Sequence, residues 1–307
     1  MRIAVFGTGG AGGYFGARLW AAGEDVAFVA RGAHLDAIRA QGLRVESILG
    51  DVHVQPARAS DRAEDIGPVD WVLCGVKAWQ VGAAAEAMRP LMGAGTAVLP
   101  LQNGVEATDE LARVLGSAHV VGGAAWIASQ VAAPGLIRHA AVEPRVTLGE
   151  LDGSASPRVQ ALHAALVRAG VRAEVAADIQ AVLWAKMAFI AAVSGVGAVA
   201  RVPVGETRAV PETRALLVAA LDEAAAVARA RGVAIAPDQT EKTLAYIDGL
   251  PVHTTASMQR DIEAGRPSEL EAQNGALVRL GRAAGVPTPT HAFLYAALLP
   301  LERRARA

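Results

Sequence analysis

Cysteine is almost missing from this chain: Cys74 is the only one among 307 residues. An internal disulfide and a cysteine metal cluster are both excluded, and a thiol inside an apolar, strand-like run reads as a buried structural group in a reducing cytoplasm. Metal-ligand spacing is missing too, since neither the 7 histidines nor the carboxylates cluster in that way. Neither sign of charge prevails, with Lys+Arg 29 against Asp+Glu 30, so there is no broad basic face for nucleic acid. The opening MRIAVFGTGG has a charge at position 2 and a four-residue apolar run before the glycines, too short for the apolar core of a signal peptide. No repeat of fixed period and no low-complexity linker interrupts the chain. What is plentiful is apolar: 52% hydrophobic residues against 19% charged, in a length that suits two domains of ordinary size with a substantial core.

The first of these domains is announced at once. RIAVFGTGGAGGYFGARLWAAGEDVAFVAR alternates strand (Arg2 to Phe6), glycine turn, helix (Ala11 to Ala22, with Gly23 suited to its C-terminal cap) and strand (Val26 to Ala30). Gly7, Gly9 and Gly12, with Gly10 between them, fall on a G-x-G-x-x-G fingerprint placed between a strand and a helix, as dinucleotide binding requires. The first glycine allows the tight turn, the second a close approach to a pyrophosphate, the third close packing of helix on strand, and the helix N-terminus supplies N–H donors. A Rossmann-type α/β doubly wound sheet is therefore expected. The second strand ends at Arg31, with no acid there, while Glu24 and Asp25 precede the strand and belong at its far end. A guanidinium offers paired donors to a 2′-phosphate, so NADPH is expected over NADH; the competing reading of Arg31 is a solvated loop charge.

Two further strands, Trp71 to Val76 and Thr96 to Leu101, end in Lys77 and in Gln102-Asn103-Gly104. Ligands bind beyond the carboxyl ends of such strands, so Lys77, Gln80 and Asn103 are expected along one crevice, although Asn-Gly is also a common turn dipeptide. A strand-rich stretch follows from Val120 to Leu151, then a helix from about Pro157 to Ala169.

After about Asp178 the pattern becomes almost wholly helical, in runs such as ETRALLVAALDEAAAVARARGV and SELEAQNGALVRLGRAAGV that end at glycine. The expected division is a nucleotide-binding domain over 1–176 and an all-α helical bundle carrying substrate and catalytic residues over 177–307. The bundle opens with LWAKMAFIAAVSG, in which Lys186 is the only formally charged residue between Asp178 and Arg201. A lysine there could lie on an exposed face with its head in water. It could interrupt a membrane span, for which ~20 apolar residues suffice, but a lysine near the centre costs ~2.5–3.5 kcal/mol. Or it could be held in a cleft as a proton donor. A first helix buried between two domains accounts for the hydrophobicity without a membrane, and Lys186, Ile190 and Ser194 recur at i, i+4 and i+8 on roughly one face. The alanine-rich helix around Leu216 to Arg229 would serve a homodimer or an internal bundle equally well.

Taken in order and spacing, the glycine loop with Arg31, KAWQ (Lys77 to Gln80), QNG (Gln102 to Gly104), LWAKMAF, SMQRDI (Ser257 to Ile262) and SELEAQNG (Ser268 to Gly275) resemble the ketopantoate reductase family along the whole chain. That resemblance implies NADPH-dependent reduction of 2-dehydropantoate to pantoate, on the route to pantothenate. It implies Lys186 as general acid, Glu269 as its orienting carboxylate across a gap facing the nicotinamide, and Asn103 and Ser257 as substrate or cofactor contacts. Three positions depart from the family pattern, in which asparagines follow the lysine and precede the serine: here they are Ile190, Ser194 and Thr254. Isoleucine cannot grip a hydroxyl or a carboxylate, so a bulkier or more apolar branched or aromatic 2-oxo acid is the alternative substrate. A protein that binds NADPH and signals without turnover is the reading from another class.

Overall fold

The computed structural model describes all 307 residues. Its contacts divide the chain into two units, Met1–Gln102 with Ala107–Ile179, and Asn103–Glu106 with Gln180–Ala307. The division is not one cut, because the short segment after Gln102 groups with the helical part.

The first unit holds ten strands: β1 Arg2–Phe6, β2 Asp25–Val29, β3 Leu43–Ser47, β4 Val52–Val54, β5 Arg58–Ser60, β6 Trp71–Cys74, β7 Ala97–Pro100, β8 Val121–Ala133, β9 Leu136–Glu150 and β10 Arg172–Val175. Its helices are α1 Gly10–Ala21, α2 Gly32–Gln41, α3 Val81–Ala87, α4 Ala107–Leu115 and α5 Pro157–Arg168. A parallel sheet runs in the order β5-β2-β1-β6-β7. Alternate side chains leave opposite faces of each strand, and both faces are buried. Ile3, Val5, Trp71 and Leu73 enter one core, while Ala4, Phe6, Val72 and Cys74 enter the other. This is why the strands read as continuous apolar runs. A second sheet, β10-β9-β3-β4 with β8 antiparallel to β9, carries the long strands of the 120–150 region. The expected strands β1, β2, β6 and β7 are all present within two residues of their expected ends. Strands β3, β4 and β5 and helix α2 carry no signal that periodicity alone resolves, since they are short and half exposed.

The second unit is helical: α6 Ile179–Ala200, α7 Val204–Ala209, α8 Pro211–Ala230, α9 Gln239–Asp248, α10 Ser257–Glu263, α11 Ala276–Ala284 and α12 Pro289–Arg306. A π-helical turn, Glu271–Gly275, leads into α11, so the expected single helix through SELEAQNG is two geometries in series. Its Gly275 N–H bonds to the Leu270 carbonyl five residues back. Ala198, Met258, Ile262, Leu270 and Leu298 form a small apolar core here. Helix α6 is long and apolar enough to cross a membrane, and 72% of its most apolar window is buried inside the protein.

Candidate active site

The glycine loop of the first unit lies at the carboxyl end of β1. Gly7 has φ +96°, which an L side chain rarely adopts, and its N–H, like that of Thr8, donates to Val29 O at the end of β2. A Cβ on Gly12 would lie 2.3 Å from Gly7 O, and one on Gly10 2.5 Å from Ser129 O, so both glycines are demanded by the chain's own packing. Gly9 differs: a Cβ there would meet nothing closer than Gly75 O at 3.8 Å. Helix α1 starts at this point with Gly9 as N-cap, no capping side chain and no acid in its first turn, which leaves its positive end for an anion. Gly75 joins the cradle from β6, where a Cβ would come 2.6 Å from Gly7 O.

At the end of β2, Arg31 is exposed and forms the N-cap of α2. The two acids before the strand lie at its other end: Asp25 pairs with Arg2 in register, and buried Glu24 bonds to the N-terminal ammonium and to Arg168. Those cations outweigh the desolvation of the Glu24 carboxyl and hold it below the usual carboxylate range. His34, one turn beyond Arg31, accepts the Gly135 N–H at Nδ1 (3.0 Å) and therefore donates from Nε2 to Thr8 O (2.8 Å). Burial keeps its pKa below the ordinary histidine value, so the neutral ring ties the glycine loop to α2 and to the β8–β9 turn.

Lys77 and Gln80 follow β6 and are both exposed; the Gln80 carboxamide oxygen accepts the Lys77 N–H at 3.2 Å, and the Lys77 ammonium lies 5.8 Å from the Trp79 ring centroid. Gln102 is buried and structural, donating from Nε2 to Cys74 O (2.9 Å) and Val76 O (2.8 Å). The buried Cys74 thiol is pushed up to about 11 by desolvation and stays protonated.

The remaining residues belong to the second unit. Asn103 Nδ2 donates to Glu269 Oε2 at 3.2 Å. Gly104, at φ +104°, brings the backbone against Ala272 O, and Arg279 bridges Glu106 to Glu271. Lys186 and Glu269 are both buried, each 8% exposed, and both lie in this unit. Ile190 is half-buried on α6. Ser194 is fully buried with no hydrogen-bond partner for its Oγ, so the helical packing encloses it and the expected face is only partly open. Thr254 and Ser257 flank the start of α10, both half-buried, and the Thr254 carbonyl accepts the Val204 N–H at 2.9 Å.

Sequence reasoning missed Gly75 and His34, and it gave Ser268 no role. A glycine at the end of a neighbouring parallel strand was a signal for the first; the other two act through contacts 101 and 34 residues away in sequence. Buried carboxylate, buried ammonium and a carboxamide in one unit can hold and move a proton, and an open glycine cradle at a helix N-terminus can hold a phosphate.

Comparisons with known proteins give matches along both units. The family model described as Ketopantoate reductase PanE/ApbA matches residues 3–153, and that of its C-terminal domain matches residues 178–302. A 2-dehydropantoate 2-reductase of Mesorhizobium japonicum is 35% identical over 94% of each chain. The crystal structure of a 2-dehydropantoate 2-reductase from Geobacter metallireducens superposes with a TM-score of 0.91 at 33% identity, covering 98% of this chain and 99% of that one. A D-mandelate dehydrogenase solved with NADH and anilino(oxo)acetate shares the fold, with a TM-score of 0.89 at 22% identity over 100% of both chains. With models matching along both units and relatives of this identity over nearly the full length, the chain is an oxidoreductase that belongs to the ketopantoate reductase family.

Proposed function

We propose that this protein reduces 2-dehydropantoate to pantoate with NADPH, using Lys186 as general acid. The observation that carries the reading is the pair of buried, oppositely charged groups Lys186 and Glu269 in the helical unit, with Asn103 bonded to the carboxylate. Burying such groups is costly unless they are paired or put to use. The dinucleotide reading is supported by the first unit: the cradle opens only above Gly9, the α1 N-terminus has no side-chain cap, and the exposed Arg31 after β2 offers paired donors for a 2′-phosphate.

NADPH, when bound, supplies the hydride to the carbonyl carbon of the 2-oxo acid. As charge grows on the carbonyl oxygen, the Lys186 ammonium stabilises it and gives up a proton to form the hydroxyl. Glu269 favours the charged form of the lysine and orients it, and Asn103 fixes the carboxylate through its 3.2 Å bond. Ser257 and Thr254 offer hydroxyls to the substrate at the start of α10, whereas Ile190 offers only an apolar surface. That half-buried isoleucine favours a second reading, reduction of a bulkier branched or aromatic 2-oxo acid on the same machinery.

The test is NADPH oxidation with 2-dehydropantoate against a panel of branched and aromatic 2-oxo acids. The proposal expects the highest kcat/KM for 2-dehydropantoate; a competitor better by orders of magnitude selects the second reading. Lys186→Ala should lower kcat by about 100-fold or more while leaving NADPH affinity nearly intact, and unchanged turnover would mean that the lysine is no acid. Arg31→Ala should weaken NADPH far more than NADH, as direct titration of each nucleotide would read; equal weakening rejects a 2′-phosphate contact and leaves a solvated loop charge.

A further inference from the structure

Ser268 precedes Glu269 and is completely buried, and the last turns of α12 engage all its polar groups. Its N–H donates to both oxygens of Glu302, at 3.1 and 3.0 Å, and its hydroxyl donates to Glu302 Oε2 at 2.6 Å. Its carbonyl accepts from an Arg306 terminal nitrogen at 3.0 Å. Arg306 Nε in turn donates to Glu302 Oε1 at 2.5 Å, closing a ring of charge-assisted bonds. On the other side of Glu269, the Leu270 N–H donates to Ser268 Oγ at 3.2 Å. The backbone before Glu269 is thus held by a carboxylate 34 residues later in the chain, and the backbone after it by the Ser268 hydroxyl that the same carboxylate holds.

Glu302 is only 5% exposed, and a carboxylate so placed loses its hydration. Apolar packing of α12 does not call for it: Leu298 and Leu294, one and two turns earlier, fill the same helix face without charge. What a carboxyl group does here that leucine could not is hold an N–H and an O–H donor of a single residue at once, while an arginine holds the carbonyl of that residue. We infer that Glu302, clamped by Arg306, is a positioning residue for Glu269: it sets the backbone from which the Glu269 carboxylate reaches Asn103 and the buried end of the site. The inference rests on the role of Glu269 proposed above. A displacement of a reacting group by about 1 Å costs on the order of 100-fold in rate, so a residue that never touches substrate can still govern turnover.

The experiment compares full-length wild type with Glu302→Gln, Ser268→Ala, Glu269→Gln and the Glu302→Gln/Glu269→Gln double variant, reading kcat, KM for the 2-oxo acid, NADPH affinity and thermal midpoint. Glutamine keeps the volume of Glu302 but turns one acceptor into a donor facing the Ser268 donors. The expected result is a fall in kcat of about 10- to 100-fold for Glu302→Gln, a smaller fall for Ser268→Ala, and NADPH affinity within about twofold of wild type. In the double variant kcat should match that of Glu269→Gln alone, because the clamp acts only through that carboxylate. Additive losses in the double variant, or equal losses in kcat and NADPH affinity, would overturn the inference. If Glu302→Gln does not fold, Ser268→Ala carries the test with its smaller fall in kcat at unchanged NADPH affinity, and wild-type kcat in it overturns the clamp. An impaired Glu269→Gln beside an intact Glu302→Gln rejects the positioning role alone; a fully active Glu269→Gln rejects the catalytic reading of Glu269 and the inference with it.

Discussion

Two histidines in this protein are held neutral by what each ring nitrogen faces. His291, with no exposed surface, meets the Asn274 carboxamide nitrogen at Nδ1 (3.0 Å) and the Ala220 carbonyl at Nε2 (2.9 Å). Nδ1 accepts and Nε2–H donates, so a second proton would point at a donor. Burial lowers its pKa, outweighing the carbonyl bond and the Glu223 carboxylate that would raise it, and His34 is lowered in the same direction. A folded-state pKa below the unfolded value means that the unfolded chain binds more protons as the solution acidifies. Stability from these rings is complete above pH about 6.5 and is lost as pH falls from there through the folded-state pKa. The lowered carboxylates Glu24 and Glu150 act only below their ordinary value of 4.5, so the window from about 6.5 to 5 belongs to the histidines. Urea midpoints should accordingly drop between pH 7.5 and 5.5. A flat profile over that range would show that neither ring is neutral for the reason given.

Helix α5 is fastened to the end of β9 by charge and capping together. Ser156 caps the helix by accepting the Val159 N–H at 3.2 Å and donates to Glu150 at 2.6 Å, while Arg158 grips both Glu150 oxygens at 2.6 Å. The Arg158 hydrogen bonds, foremost, keep the Glu150 carboxyl ionised against burial. Removing the fork leaves a buried carboxylate short of its partner, so Arg158→Ala should lower unfolding free energy by about 1.5 to 3 kcal/mol, and Arg158→Lys should recover only part because it cannot bind both oxygens. Denaturant titration of the two variants measures this directly. The extent of this helix was legible, expected from about Pro157 to Ala169 and found over Pro157–Arg168. The π-helical turn over Glu271–Gly275 was not, because apolar spacing reports which face is buried and says nothing of whether a backbone N–H reaches four or five residues back.

At the scale of the whole molecule, a ligand bound by the folded chain and not by the unfolded one stabilises by about 2.7 kcal/mol at one hundred times its Kd. NADPH should therefore raise the thermal midpoint by several degrees, on the order of 5 °C for a chain of this size, and NADH at the same concentration by less. Arg31→Ala should remove the difference between the two nucleotides without lowering the midpoint of the free protein, since Arg31 is exposed. Helix α6 belongs to this scale as well. Its composition alone would suit a bilayer, but with 72% of its apolar window already covered by protein, the apolar surface is satisfied within the fold.

The sequence by itself determined the parallel sheet of the first unit, the glycine loop, the helical second half and the family, because continuous apolar strands, a placed glycine fingerprint and 3.6-residue periodicity are local signals. It also marked Lys186, since one charge inside a long apolar helix stands out in the primary structure. Only the tertiary structure decided that Asn103 bonds to Glu269, 166 residues away, that Ser194 is enclosed, and that Glu302 and Arg306 grip Ser268. Each of these depends on which helix face meets which loop, and hydrogen bonds between residues distant in the chain leave no periodic trace in a single sequence.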